Sequence, residues 1–337
     1  MSFGTELELL PPEETSADSS VELEGGEIVA RSPMQLFWRR FRSDRVAMVS
    51  LGFIVVLIIV AIFAGPIVSL IGVTGPNTPN NNCPGPASQC ALNIFGQPTG
   101  PSSIHPFGTD ELGRDVLARV IYGAQVSLEV AFIATGFAVL IGVTLGTIAG
   151  YFRGWVDSLL SRFMDVVLAF PVLLFAIGLA SACALGKGCL GGLITPGRET
   201  LIVVIALASW PYLGRIIRGQ VLSIREKEYI EAARSLGASN TRIMRREILP
   251  NLVAPIIVYT SLILPTNILF EAGLSYLGVG IRPPTASWGQ MLAAATPIFN
   301  TAWWYMVFPG AALLITVLAF NLLGDGLRDA LNPRRAR

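Results

Sequence analysis

The sequence predicts an all-α integral membrane protein with six transmembrane helices. The 337-residue chain is 52% hydrophobic and only 14% charged, whereas soluble domains carry about 25% charged residues. Its mean hydropathy is +0.60. Six apolar stretches are long enough for a helix that crosses a hydrocarbon core, which needs ~20 residues. Each stretch must be helical, because lipid offers no partner for unpaired backbone groups.

Four prolines inside these stretches are expected to interrupt them: Pro171, Pro211, Pro265 and Pro309. Such interruptions are tolerated where neighbouring helices or a water-lined path satisfy the freed carbonyl groups. We therefore expect a bundle around a pathway rather than a set of isolated anchors. The stretches lie near residues 46–71, 124–150, 163–183, 199–217, 252–275 and 304–325.

The distribution of Lys and Arg predicts that both termini are cytoplasmic. With the N-terminus inside, 19 of the 24 basic residues fall on the cytoplasmic side, eight of them between Arg215 and Arg246. The five that fall outside are Arg114, Arg119, Lys187, Arg198 and Arg282.

Composition also suggests how the chain is divided. Residues 1–35 are expected to form a disordered, acidic cytoplasmic tail, because residues 1–30 hold eight acidic side chains and no Lys or Arg. Residues 36–123 are expected to hold the first span and an external segment. There, apolar residues at helical spacing between Thr109 and Gln125 predict an amphipathic interfacial helix. Residues 124–330 then form a core of five helices with a cytoplasmic loop at 218–251, and residues 331–337 form a basic tail.

All four cysteines face the external, oxidising side in this topology, so one or two disulfides are expected. The sequence leaves three pairings open, and free thiols buried at helix ends are the alternative. The cysteines are Cys83, Cys90, Cys183 and Cys189.

The loop at 218–251 is the longest and most charged cytoplasmic loop. Ser223 and Glu226 are spaced as a capping box, which predicts the start of a helix. Gly237 suits the position after the end of that helix. A second helix over 241–248 is expected to end at Leu249-Pro250. Small alanines on the first helix allow another protein to approach its backbone closely.

The residues of this loop resemble the EAA loop of ABC-importer permeases. The resemblance rests on Glu231-Ala232-Ala233, on Gly237 and on Leu249-Pro250, and it departs at Glu247, where that motif usually has an apolar residue. Three further stretches resemble segments of the C-type permeases of dipeptide and oligopeptide importers: His105–Asp115, Leu274–Gly289 and Asn321–Asp329. The similarity covers about residues 35–335. It implies a type I ABC-importer permease fold in a bacterial cell membrane.

The resemblance implies a division of labour among subunits. A B-type permease pairs with this chain, two ATPase subunits bind ATP and Mg, and an external binding protein delivers peptide. No cofactor is expected on this chain. The residues implied to couple with an ATPase are Glu231, Ala232, Ala233, Leu236, Gly237, Leu249 and Pro250.

No catalytic or metal site is predicted. The sequence has no phosphate-binding loop and no nucleophile with a matching base. The single histidine, His105, is expected to be a surface turn residue before Pro106. The net charge of +1 gives no sign of a nucleic-acid partner.

Ionisable groups in the spans are candidates for the pathway, because charges are expensive in lipid. Glu271, Glu129 and Asp165 are such residues, and capping a helix or pairing with an interfacial arginine is the alternative for each. Trp303, Trp304 and Tyr305 predict an aromatic belt at the interface.

Three other functions compete with a peptide importer. An ion-driven secondary transporter would explain the spans but not the ordered loop, and no inverted repeat is evident. A membrane-embedded enzyme lacks a catalytic constellation. The same ABC assembly could instead import nickel or another small solute, since the motifs are shared.

Overall fold

Helices make up most of the computed structural model, which describes residues 33–79, 90–184, 189, 192 and 194–331. The described residues form no β-strand, and only isolated bridges pair extended residues. Most of the acidic tail, up to residue 32, and residues 332–337 lie outside the described residues. A π-helical turn (Met244–Ile248) joins α9 to α10, and a 3₁₀ turn (Thr296–Ile298) follows α11. The helices are α1 (Pro33–Ser43), α2 (Arg45–Ile62), α3 (Ala64–Ile71), α4 (Val116–Tyr151), α5 (Trp155–Ala169), α6 (Val172–Ala184), α7 (Arg198–Ile224), α8 (Glu228–Ser235), α9 (Asn240–Ile243), α10 (Leu249–Tyr276), α11 (Trp288–Ala295) and α12 (Trp303–Leu331).

The membrane spans agree with the hydropathy pattern. In the described part of the chain a sixth crossing exists if the bent pair α5–α6 counts as one span. All six predicted stretches overlap these segments, so the all-α integral membrane class is confirmed. The five segments that are long and apolar enough to cross by themselves are Arg45–Ile62, Val116–Tyr151, Arg198–Ile224, Asn240–Tyr276 and Trp303–Leu331.

The stretch at 163–183 is not one helix. α5 and α6 meet at a bend of 89°. Phe170, the residue between α5 and Pro171, has an extended backbone with φ −81° and ψ 141°. The proline imposes this conformation, since its ring clashes with a helical backbone at the preceding residue. The interruption predicted at Pro171 is therefore confirmed, and it divides the span into two helices.

The other three prolines do not end their helices. Pro211 lies within α7, Pro265 within α10 and Pro309 within α12, and all three are buried. Neighbouring helices pack around them and stabilise a continuous helix despite the missing N–H. The prediction that these prolines interrupt their spans is wrong.

The helix pair α4–α7 forms the most extensive contact in the described bundle. Glycines at every fourth position of α4 face α7, and they are Gly142, Gly146 and Gly150. A Cβ atom on Gly146 would lie 2.5 Å from the carbonyl oxygen of Gly214. Small residues at this spacing let transmembrane helices approach closely, so α4 and α7 pack as one unit across the membrane.

The amphipathic helix predicted over 109–125 begins later than expected. α4 starts at Val116, where the side chain of Asp115 accepts a hydrogen bond from the N–H of Ala118. The seven residues 109–115 form a turn instead of the first two turns of a helix. The prediction of a helix from Thr109 is therefore wrong for this part.

The turn before α4 buries charged groups in pairs. The Asp110 carboxylate accepts a hydrogen bond from the Arg114 guanidinium at 2.6 Å and lies 3.6 Å from Arg119. His105 Nδ1 lies 2.8 Å from Asp115 Oδ2, and the histidine is only 1% exposed. His105 is thus not a surface turn residue. Buried charges of this kind are stable only when they are paired and hydrogen-bonded.

The start of α12 covers this turn. The Trp304 indole N–H donates a hydrogen bond to the Thr109 carbonyl oxygen at 3.1 Å. Trp304 and Tyr305 are buried, while Trp303 is 53% exposed. The predicted interfacial belt is therefore wrong for Trp304 and Tyr305, which pack inside the protein.

Candidate functional site

The loop between α7 and α10 starts later than the sequence predicts. α7 continues to Ile224 and α8 starts at Glu228, so Ser223 lies in the last turn of α7. The predicted capping box is wrong, because Glu226 instead accepts hydrogen bonds from Arg153 and Arg225.

The second helix of the loop does not end at Leu249-Pro250. Helical structure runs without a gap from Asn240 through the π-helical turn to Tyr276. Pro250 lies in the first turn of α10, where a missing N–H costs little. The wider π-helical turn before Pro250 accommodates the irregular hydrogen bonding at this point of the helix. The predicted end is therefore wrong, and the loop is joined rigidly to the fifth span.

The underside of the loop is anchored in the helix bundle. Ile230, Ile243 and Ile248 are completely buried and pack with residues of α7 and α10, including Ile217 and Leu252. Burial of a side chain of this size contributes about 1.5–3 kcal/mol. The loop is therefore a folded element with a fixed position relative to the spans.

The outer surface of α8 and the following turn is exposed. Glu231 and Ala232 are exposed, and Leu236 is 88% exposed. Gly237 has φ +79°, and a Cβ atom there would meet nothing within 4 Å. The backbone is therefore open to a partner beside a projecting apolar side chain. A depression of about 230 Å³ lies here, lined by Ala233, Leu236, Gly237, Ala238, Arg242, Ile243 and Glu247.

Leu249 and Pro250 are also exposed, on the first turn of α10. Ala233 is only half-exposed, since its side chain packs at the edge of the buried isoleucines. The structure thus places most of the predicted coupling residues on one accessible end of the molecule. Glu247, which departs from the EAA pattern, lines the depression.

Two contacts that the sequence reasoning missed tie the loop to α4. The Tyr151 hydroxyl donates a hydrogen bond to Asn240 Oδ1 at 2.8 Å. The Arg225 guanidinium donates to the carbonyl oxygen of Gly150 at 2.6 Å. From the sequence alone, Gly150 and Tyr151 were recognisable only as residues at the end of a predicted span. These contacts fix the loop against the α4–α7 unit.

A third tie is electrostatic. Glu226 forms an ion pair with Arg153 in the turn after α4. Hydrogen bonds from Arg153 and Arg225 stabilise the carboxylate, so the pKa of Glu226 lies below its ordinary value of 4.5. The turn at Glu226 therefore stays charged and tethered at neutral pH.

Two of the pathway candidates form ion pairs. Asp165 pairs with Arg215, and their side chains are 58% and 53% exposed. Glu129 pairs with Arg198 at 2.8 Å, and both are partly exposed. For both acids the structure shows pairing with an arginine, which was the alternative to a free group in the pathway.

A further ion pair lies between α5 and α7. Arg218 donates hydrogen bonds to both carboxylate oxygens of Asp157, at 2.6 and 2.9 Å. Together with Asp165–Arg215, this pair forms a charged stripe where α5 meets α7. The sequence reasoning did not single out Asp157, because its partner is 61 residues away.

The third pathway candidate, Glu271, is fully buried. The Ser275 hydroxyl donates a hydrogen bond to its carboxyl at 2.8 Å, and the Ser127 and Ser287 hydroxyls face the same group. Glu271 is therefore enclosed within this subunit, where its contacts join α10 to α4 and to the start of α11.

Three of the four cysteines lie among the described residues, and each of the three is disulfide-bonded. Cys183 and Cys189 form a disulfide, and Cys90 is disulfide-bonded. Cys83 lies outside the described residues. In the part of the chain that the structure describes, no group of three or more His, Cys, Asp or Glu side chains is placed to hold a metal ion.

Two family models match the chain. One is described as the binding-protein-dependent transport system inner membrane component, and it matches residues 142–337. The other is described as the N-terminal TM domain of oligopeptide transport permease C, and it matches residues 32–84.

Individual proteins match over most of the chain. The dipeptide transport system permease protein DppC of Alkalihalophilus pseudofirmus (strain ATCC BAA-2126 / JCM 17055 / OF4) is 38% identical over 308 residues, which are 91% of this chain and 92% of that protein. The glutathione transport system permease protein GsiD of Escherichia coli O6:K15:H31 (strain 536 / UPEC) is 42% identical over 311 residues, with 90% and 91% covered.

A solved structure shares the fold. The inward-facing MetNI methionine ABC transporter, in its CY5 native crystal form, matches with a TM-score of 0.53 at 20% identity. The match covers 64% of this chain and 97% of that chain.

The fold and the loop define a multi-pass permease subunit of a type I ABC importer. The chain belongs to the family of binding-protein-dependent transport system inner membrane components. Membership implies that the chain works with ATPase subunits and with a second permease subunit.

Proposed function

We propose that this chain is the C-type permease subunit of an importer that brings dipeptides or oligopeptides into a bacterial cell. It pairs with a B-type permease, two ATPase subunits bind its cytoplasmic side, and an external binding protein delivers the peptide. The support for peptide as cargo is the similarity to permeases named for dipeptide and glutathione transport.

The orientation is part of the proposal. Both termini are cytoplasmic in the bacterial cell membrane, as the excess of Lys and Arg on that side predicts. The loop between α7 and α10 then lies in the cytoplasm, while Cys90, Cys183 and Cys189 face the oxidising exterior. The disulfide between Cys183 and Cys189 supports this assignment, since disulfides persist in oxidising compartments.

The exposed surface around Leu236 and Gly237 carries the proposal of ATPase coupling. The surface holds Glu231, Ala232, Leu236 and Gly237 above a rigid, buried underside. A groove on an ATPase receives Leu236 and the open backbone at Gly237. Because the loop is tied to α4 and continuous with α10, a movement of the ATPase moves the spans.

The chemistry of ATP hydrolysis belongs to the partner subunits in this proposal. ATP and Mg bind there, and this chain acts without a catalytic residue or cofactor of its own. In this proposal ATP hydrolysis drives transport, and no ion gradient is required.

Uptake of labelled dipeptides to hexapeptides tests the cargo. Cells that have the complete importer should accumulate peptide, and cells that lack only this subunit should not. Equal uptake by the two strains would contradict peptide import. Uptake of labelled nickel that depends on the subunit, without uptake of peptide, would assign a different cargo to the same assembly.

The coupling surface is tested by Gly237→Asp, with Gly72→Asp as the matched control. Both glycines follow the end of a helix with positive φ, at +79° and +76°, and both leave open space for a side chain. Only Gly237 belongs to the proposed docking surface. Gly237→Asp should abolish transport and co-purification of the ATPase, whereas Gly72→Asp should retain both. Normal co-purification with Gly237→Asp would refute the docking surface.

A further inference from the structure

A groove of about 320 Å³ opens between α5, α6, α7 and α10. Its size falls within the range of about 300–1,000 Å³ that is typical of small-molecule sites. Polar side chains on α7 and α10 share the lining with apolar ones. The lining residues are Leu168, Val172, Ala208, Ser209, Tyr212, Leu262, Ile263, Thr266, Asn267 and Phe270.

The back wall of the groove is held rigidly. The Ser209 hydroxyl donates a hydrogen bond to Asn267 Oδ1, and the Asn267 amide donates to the Thr135 hydroxyl, each at 2.8 Å. This chain of bonds joins α7, α10 and α4. Tyr212 and Thr266 lie in front of it and are exposed. The Thr266 hydroxyl donates to the Leu262 carbonyl oxygen at 3.2 Å, so it can accept a hydrogen bond from a molecule in the groove.

The groove lies at the break between α5 and α6. Leu168 and Val172, which line it, flank the interrupted segment at Phe170-Pro171. Phe170 and Pro171 are exposed on the surface of this chain. Non-helical backbone at membrane depth is tolerated only where protein buries it or where it lines a water-filled cavity, and such breaks mark transporter binding sites.

Charged groups border the same groove. Asp165 is one helical turn from Leu168 on α5, and Arg215 is one turn from Tyr212 on α7, so each lies on the same helix face as a groove residue. More than half of each charged side chain is exposed. In the proposed orientation Arg215 lies at the cytoplasmic end of its span, where lipid cannot cover the charges cheaply and water from the cytoplasm reaches them. A closely packed helix would also have to desolvate the pair, at a cost of several kcal/mol per ion.

These observations favour a hydrated space, and we propose that the groove is a contact site for a short zwitterionic peptide in transit. The inference rests on the proposed peptide import and locates the contact on this chain. The peptide carboxylate binds beside Arg215 and its ammonium group beside Asp165, so that the two termini add to the Asp165–Arg215 ion pair without breaking it. The apolar lining accepts side chains of varied shape, while Tyr212 and Thr266 offer hydrogen bonds to the peptide backbone.

The experiment uses a thiol placed in the groove of the complete, detergent-solubilised importer. Thr266→Cys introduces the thiol, and Leu314→Cys is the control, because Leu314 is 68% exposed on α12 and does not line the groove. The probe is a tripeptide that carries a bromoacetyl group on a central lysine side chain and has both termini free. The unsubstituted chain measures the background from its own cysteines.

The Thr266→Cys variant should be alkylated at least fivefold faster than the Leu314→Cys variant. An excess of unlabelled zwitterionic tripeptide should slow the reaction, and the same peptide with acetylated and amidated termini should slow it less. Equal alkylation of the two variants, or equal protection by both competitors, would overturn the proposal. Oxidative cross-linking of the Thr266→Cys variant to the partner permease, without peptide alkylation, would instead assign the groove to the subunit interface.

Peptide uptake by cells that carry the Thr266→Cys importer distinguishes failure of the proposed groove from failure of the proposed peptide import. Normal uptake without preferential alkylation would refute the groove and leave peptide import standing. Absence of peptide uptake by the unsubstituted importer would refute the proposed function itself.

Discussion

The Ser275 hydroxyl donates a hydrogen bond to the Glu271 carboxyl at 2.8 Å and accepts one from the N–H of Ile281 at 3.1 Å. The serine thereby connects a buried acid in α10 to the loop that leads to α11. We expect Glu271→Gln to be tolerated within about 1 kcal/mol, because the amide has the same shape and also accepts the serine hydroxyl bond. Glu271→Ala should lower the free energy of unfolding by about 2–3 kcal/mol, since it leaves a cavity and an unpaired hydroxyl.

Thermal unfolding in detergent and peptide uptake measure both variants of Glu271. Equal losses for Glu271→Gln and Glu271→Ala would contradict the prediction, because they would mean that an amide cannot replace the carboxyl group.

The buried charge cluster before α4 predicts a large effect of Asp110→Asn. Asp110 is buried and pairs with Arg114 and Arg119. Its neutralisation leaves buried guanidinium groups without compensation, which costs about 3–5 kcal/mol. Unfolding midpoints should show this loss. Glu111→Gln, at the adjacent exposed position, should change the midpoint little, and a similar loss there would contradict the role of burial.

The packing of α4 on α7 predicts that Gly146→Ala destabilises the protein. The new Cβ atom would lie 2.5 Å from the Gly214 carbonyl oxygen, so the helices must separate, at a cost of about 1–3 kcal/mol. Gly136→Ala is the control on the same helix, where a Cβ atom meets nothing within 4 Å. Unfolding midpoints that are equal for the two variants would show that the helices adjust freely.

The link between α4 and the coupling loop predicts a functional effect of Tyr151→Phe. The variant loses the hydrogen bond to Asn240, worth about 0.5–1.5 kcal/mol. Amide hydrogen exchange should accelerate at residues 238–243, and transport per ATP hydrolysed should fall. Tyr229→Phe is the control, because its hydroxyl has only a long contact of 3.4 Å to Asn251. Unchanged exchange in the Tyr151→Phe variant would remove the tether from the mechanism.

The ion pair of Glu226 predicts a response to acid. The pKa of Glu226 is lowered mainly by the hydrogen bond from Arg153, so the pairing is complete above its ordinary pKa of 4.5 and is lost as the pH falls through the lowered value. Hydrogen exchange at residues 224–228 should be constant from pH 8 to 5, after correction for the intrinsic rate, and increase only below pH 4.5, as the pH falls through the lowered pKa. Glu226→Gln should remove this step, and its persistence in that variant would assign it to another group.

Local patterns in the sequence predicted the spans well, because burial in lipid depends on average hydropathy rather than on particular contacts. Pro171 ended its helix as expected, whereas Pro211, Pro265 and Pro309 did not. Their neighbours in other helices decided the outcome, and no local rule contains that information. The spacing of Gly142, Gly146 and Gly150 is a local signal that predicts close helix packing.

The predicted positions of the candidate residues divide in the same way: those that depend on adjacent residues agree with the structure, and those that depend on distant partners do not. The motif at Glu231–Gly237 predicted residues that lie on one exposed surface, since they are adjacent in the chain, and their coupling with an ATPase stays a prediction. The charged residues from Asp110 to Arg119 misled the prediction of an amphipathic helix, because their partners are each other and distant residues such as Trp304. The tether between Tyr151 and Asn240 joins positions 89 residues apart, so only the folded chain brings it into view.

The unbroken helical run from Asn240 to Tyr276 has a mechanical consequence. Its 37 residues span about 55 Å at the usual helical rise. A rigid rod of this length that tilts by about 5° about its centre displaces each end by about 2–3 Å, in opposite directions. Such a displacement at the end near Tyr276 is close to the 3.4 Å that separates the Tyr276 hydroxyl from the Thr296 hydroxyl on the 3₁₀ turn beside it. A small rotation at the Asn240 end is therefore enough to strain or release a contact at the Tyr276 end.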